Sequence, residues 1–101
     1  MLHPPPPLSP STSALRAMGK FEKLTSKILS ASSDKNIAFS DLLFVLKALG
    51  FDLRIRGDHH ILTKPGIEEI INIQPIKSKA KAYQVKQVRE IITRYHLLED
   101  Q

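Results

Sequence analysis

The chain contains no cysteine, which removes both a disulfide framework and a thiolate metal site. Such a domain must hold together by packing alone, and a thiol-free composition fits a reducing compartment. No apolar run approaches the roughly 20 residues that a membrane helix needs. The opening stretch, MLHPPPPLSPSTSALRA, lacks the basic start and unbroken apolar core of a secretory signal. These absences lead us to expect a cytoplasmic protein without a membrane partner. No internal repeat is visible either, and 101 residues suit one small domain.

What is present points to a compact core and an acidic partner. Hydrophobic residues make up 42% of the chain, enough to fold without a staple. The net charge of +5 and a pI near 9.7 favour phosphate-bearing partners. Mild basicity is common among small domains, so charge alone leaves an ordinary solvated surface open. Residues 1–17 are rich in Pro, Ser and Thr, with Pro4 to Pro7 consecutive, a composition that favours polyproline II and builds no core. They read as a disordered tail, or as a stretch preceding a natural start at Met18. Residues 18–101 then form one domain.

Phe21, Leu24 and Ile28 recur at helical spacing and predict a helix over 20–30. A second helix follows ASSDKN, with Ser40 as N-cap, Asp41 at the positive dipole end and Gly50 as the stop. Its apolar surface is wider than the stripe of Leu42, Leu46 and Leu49. Phe44, Val45 and Ala48 extend it, so either the first helix or a partner protein covers the far side. FDLRIR, HHILTK and IEEIINIQ read as three strands, and Tyr83 to His96 as a final helix with Val85, Val88, Ile92 and Tyr95 inward. The order implies an α+β fold, a three-stranded antiparallel sheet with helices on one face.

Gly57-Asp58 is a two-residue hairpin signal of type II′. Its register sets Arg56 opposite His59, Ile55 opposite His60, Arg54 opposite Ile61 and Leu53 opposite Leu62. Strand alternation then separates the adjacent histidines. His60 goes with Leu53, Ile55 and Leu62 to the helix-covered side, as a partly buried, locally hydrogen-bonded residue. His59 goes to the open face with Arg54 and Arg56, as an exposed imidazole that is either inert or chemically active. A second two-residue turn at Pro65-Gly66 sets Ile71 beside His60 and Asn72 beside His59. A metal site is not expected, because neighbouring histidines on one strand point apart and no third ligand is spaced to join them. Lys77, Lys79 and Lys81 precede or open the last helix, where an anion offsets their unfavourable place at the positive dipole end. Lys86 and Arg89 continue that basic surface. A plain solvated face explains the lysines nearly as well.

LKALGF (46–51), RIRGDHHI (54–61), INIQP (71–75) and the final helix together resemble the HicA family of bacterial type II toxins, small mRNA interferases. The resemblance covers roughly residues 36–97, and the helix at 20–30 looks like the N-terminal extension of longer members. It implies a fold similar to a double-stranded-RNA-binding domain and RNA cleavage without a metal or other cofactor. It implies that His59 is catalytic, that Gly57 is the turn residue positioning it, and that a HicB-like antitoxin covers the basic face. Arg54, Arg56, Lys79, Lys81 and Lys86 are the expected RNA-binding residues. The sequence departs from the family at Asp58, where serine is usual: a carboxylate beside His59 repels phosphate, and a degenerate, weakly active or inactive toxin is the alternative that this departure implies. Two other functions compete: an RNA-binding module without cleavage, and a protein-interaction domain using the apolar helix at 40–49.

Overall fold

The structure, a computed structural model, describes residues 19–99; the proline-rich stretch and Met18 lie outside the described residues. Helix α1 spans Lys20–Ser30, the range its apolar spacing predicts. A 3-10 turn (Asp34–Asn36) leads to α2 (Phe39–Ala48). Strands β1 (Asp52–Arg56), β2 (His59–Thr63) and β3 (Ile71–Ile73) follow, and α3 (Ala82–Arg94) ends the series. The strands form an antiparallel sheet in the order β1-β2-β3. The fold is α+β.

One core holds these elements together. Leu62, Ile71 and Ile73 supply the sheet's part, all fully buried on one face. Ile28 of α1, Leu42, Val45 and Leu46 of α2, and Val85, Val88, Ile91 and Ile92 of α3 supply the rest. The other face of the sheet carries Arg54, Arg56 and His59, which are exposed.

Helix α2 starts at Phe39, not after Ser40. Segment 37–39 runs antiparallel to 78–80: Phe39 N–H donates to Ser78 O at 3.0 Å, and Ala80 N–H to Ile37 O at 2.9 Å. That backbone pairing, instead of a side-chain cap, fixes where the helix begins. Asp41 binds Lys20 of α1 across 3.3 Å. The C-terminal end matches expectation. Gly50 takes φ 98°, its N–H donates to Lys47 O, and Phe51 N–H donates to Leu46 O. This paired closure needs a left-handed residue, and glycine takes that conformation without Cβ strain.

Three further expectations are corrected. Residues 64–70 form a connection instead of a strand joined by a two-residue turn. Lys64–Ile67 is a hydrogen-bonded turn with Gly66 at φ 86°. Beyond it, Tyr95 takes the backbone N–H of Glu68 and donates to the Glu69 carboxylate, which also binds Arg94. With those groups engaged by the end of α3, β3 begins only at Ile71. His60 therefore pairs with Ile73, two positions beyond Ile71. Ile55 points to the core side but is 59% exposed, because the helices do not reach the hairpin tip. Arg89 does not extend a basic surface. It turns inward, giving two hydrogen bonds to Asp34 and one to Ile28 O.

Candidate functional site

The β1–β2 register is the one that Gly-Asp predicts, from Arg56 opposite His59 to Leu53 opposite Leu62. Gly57 has φ 61°, while Asp58 is not among the positive-φ residues. One left-handed residue at the first turn position is the type II′ pattern; type I′ needs two. A Cβ at Gly57 would meet nothing within 4 Å, so backbone conformation, not space, demands glycine there.

The turn divides the histidines as alternation requires. His60 is half-buried, packs edge-on against Phe39 at 4.8 Å between ring centroids, and donates from Nδ1 to Asp58 O at 3.2 Å. His59 lies on the open face with its side chain 48% exposed, close to half of its surface and enough for a ligand to reach the ring. Both of its nitrogens have neighbours. Nδ1 is 3.1 Å from Asn72 Oδ1, and Nε2 is 3.2 Å from the amide nitrogen of Gln74. That same amide nitrogen donates to Asp58 Oδ1 at 3.3 Å, and Asp58 Oδ1 is 4.0 Å from His59 Nε2.

Asn72 does sit on the face of His59, although not directly opposite it. The two-residue shift preserves parity and leaves Asn72 diagonal to His59, paired with Ile61. Continuing the same register by one residue brings Gln74 opposite the histidine. The sequence alone gives neither amide a role: the signal is the register through β3, and the length of the 64–70 connection hides it.

Arg54 and Arg56 project on the open face beside β2. With Ile61, Thr63 and Ile70 they line a depression of about 260 Å³. Ile70 is 63% exposed, so the depression has a greasy wall and a cationic rim. Lys79 and Lys81 belong to a separate cluster that starts three residues after Gln74. Lys77 (φ 50°) and Ser78 (φ 68°) make a tight turn closed by hydrogen bonds between Ile76 and Lys79 in both directions. Lys35, Lys77, Lys79 and Lys81 line a cleft of about 340 Å³ beside the start of α3. Lys79 reaches Asn36 Oδ1 at 3.5 Å, and Lys81 lies 5.8 Å from the Tyr83 ring centre. Among the described residues, none of these four lysines forms an ion pair. Lys86 stands apart, exposed on α3, a helix that packs against the opposite face of the sheet from His59.

A larger groove of about 560 Å³ lies elsewhere, between α2 and β1, lined by Leu43, Phe44, Ala48 and Leu53 with Lys20 and Lys47 at its edge. Its lining holds no imidazole and no carboxylate. Among the described residues, no group of three or more His, Asp or Glu converges as a metal site, and no helix is long and apolar enough to cross a membrane. Comparison with protein-family models, curated proteins and solved structures finds no match to the chain.

Proposed function

We propose that the chain is an RNA endonuclease of HicA type, with a fold similar to a double-stranded-RNA-binding domain, acting on mRNA in the cytoplasm. One observation carries the reading: a half-exposed His59, fixed beside a glycine turn, shares an open sheet face with Arg54 and Arg56. In this reading a single-stranded segment crosses that face, its phosphates on Arg54 and Arg56 and a base against Ile61 and Ile70. Lys79 and Lys81 hold the strand further along, and Lys86 contributes only to the diffuse positive field.

His59 takes the proton of a ribose 2′-hydroxyl, whose oxygen attacks the adjacent phosphorus. The phosphorus–5′-oxygen bond breaks, the leaving oxygen takes a proton from solvent, and a 2′,3′-cyclic phosphate and a 5′-hydroxyl end result. Imidazole suits the step because its unperturbed pKa of about 6.5 lies near working pH. Arg56, paired with His59 across the turn, faces the charge developing on the phosphoryl oxygens. None of these steps calls for a cofactor. A HicB-like antitoxin with acidic residues over Arg54 and Arg56 would silence the site.

One observation favours a second reading, an RNA-binding module without cleavage: the Gln74 amide already occupies His59 Nε2. Incubating end-labelled RNA with the protein and with His59→Ala in excess EDTA separates the two. The nuclease yields cyclic-phosphate fragments with the parent and none with the variant. A binding module shifts the RNA equally with both and leaves it intact.

A further inference from the structure

The side chains around His59 form one chain of hydrogen bonds whose direction is set at one end. A carboxylate accepts and cannot donate. Asp58 Oδ1 therefore receives a hydrogen from Gln74, which fixes the amide of Gln74 with its nitrogen toward the histidine. The second hydrogen of that nitrogen points to His59 Nε2, 3.2 Å away, which must then accept. A neutral imidazole that accepts at Nε2 carries its proton on Nδ1. That N–H donates to Asn72 Oδ1 at 3.1 Å, completing the chain.

We propose that Asp58, Gln74 and Asn72 are positioning residues that hold His59 as the Nδ1–H tautomer, leaving Nε2 as its basic nitrogen. An unrestrained histidine side chain favours the opposite tautomer, so the selection needs these partners. The departure from the family serine at Asp58 thereby acquires a role instead of a penalty. It orients the Gln74 amide, and it lies 4.0 Å from the nitrogen that becomes positive once it takes a proton. When a substrate hydroxyl displaces the Gln74 amide from Nε2, the Asn72 bond keeps the proton on Nδ1 and the ring in place while Nε2 takes the second proton.

The kinetic consequence rests on the ribonuclease reading; the tautomer does not, and the experiment reads both. Long-range ¹H–¹⁵N NMR of the uniformly labelled full chain, at about two pH units above the ordinary imidazole pKa, reports which ring nitrogen bears hydrogen. His59→Ala identifies the signals. The parent should show His59 protonated at Nδ1. Asn72→Leu should move it to predominantly Nε2–H, whereas Asn72→Asp, which keeps an acceptor, should not. Asp58→Ala should broaden the preference toward a mixture. In RNA cleavage, Asn72→Leu should lower kcat by on the order of 10-fold or more with KM within about twofold, and Asn72→Asp should restore most of it. His59 protonated at Nε2 in the parent overturns the proposal, whether or not Asn72→Leu folds. So does a tautomer indifferent to Asn72→Leu. A parent that shows Nδ1–H but cuts no RNA supports the positioning and overturns the reaction.

Discussion

Replacing Arg89 by methionine removes a guanidinium that joins three segments while keeping most of its aliphatic stem. Arg89 sits on α3 and gives Nη1 and Nη2 to the two oxygens of Asp34 in the 3-10 turn, at 2.9 and 3.1 Å. Nη1 also reaches Ile28 O of α1 at 3.1 Å. Asp34 beside it raises the Arg89 pKa above its ordinary value, as a bidentate pair should. Exposed pairs contribute about 0.2–1 kcal/mol, and removing one partner of a fully buried pair costs about 3–5 kcal/mol. Here the side chains are 18% and 22% exposed, so Asp34 recovers some water when its partner goes. Ile28 O keeps the N–H of Ala31 as a second donor, at 3.3 Å. We expect a cost of about 2–3 kcal/mol, or a fall in Tm of roughly 10 to 20 °C for a domain this size. Thermal and urea melts followed by circular dichroism measure it. A double-mutant cycle with Asp34→Ala should show at least about 1 kcal/mol of coupling. A cost below about 0.5 kcal/mol, or strictly additive singles, would refute the clamp.

Other consequences concern acid stability, strain and binding. Tyr95 donates to Glu69 at 2.6 Å and, with Arg94, lowers its carboxyl pKa. A lowered folded pKa gives stability that is present above the unfolded value and lost as pH falls through the folded one. Melts should thus show Glu69→Gln losing less Tm than the parent between pH 5 and strong acid, and parallel curves would remove Glu69 from the account. Lys77 and Ser78 both hold left-handed backbone without being glycine, a cost of about 1 kcal/mol or more each. Lys77→Asn with Ser78→Gly should therefore raise stability by about 1–2 kcal/mol in urea melts while weakening RNA affinity; unchanged stability would mean the turn is not strained. Arg56→Ala should reduce the log–log salt slope of single-stranded RNA binding by about 0.7, as one lost phosphate contact requires, and an unaltered slope would take Arg56 off the RNA path.

The sequence makes the hairpin legible because a two-residue turn leaves no freedom in the register, and Gly57 declares its own conformation. The faces of both histidines follow from that turn alone. Beyond Thr63 the information is no longer local. Pro65-Gly66 marks a turn correctly, yet how many residues follow it depends on Tyr95, a residue from the far end of the chain that engages Glu68 and Glu69. A shift of two positions preserves the face, so Asn72 stays with His59, but it changes the residue opposite, and Gln74 goes unseen. Ser40 has the chemistry of a cap and is displaced from that role because backbone from 78–80 reaches the helix start first. Arg89 looks like surface charge, since nothing near it in sequence reveals that Asp34 waits across the core. Ile55 errs the other way: alternation gives its direction, not whether a helix extends far enough to cover it.

The central claim is that the imidazole of His59 cuts RNA. The most direct test mixes purified protein with a 5′-labelled single-stranded RNA in excess EDTA, beside His59→Ala and His60→Ala proteins whose melts show they are folded. The account predicts fragments ending in 2′,3′-cyclic phosphate from the parent, fewer but detectable fragments with His60→Ala, and none with His59→Ala. Cleavage by His59→Ala at the parent rate, or intact RNA with every protein, would contradict it.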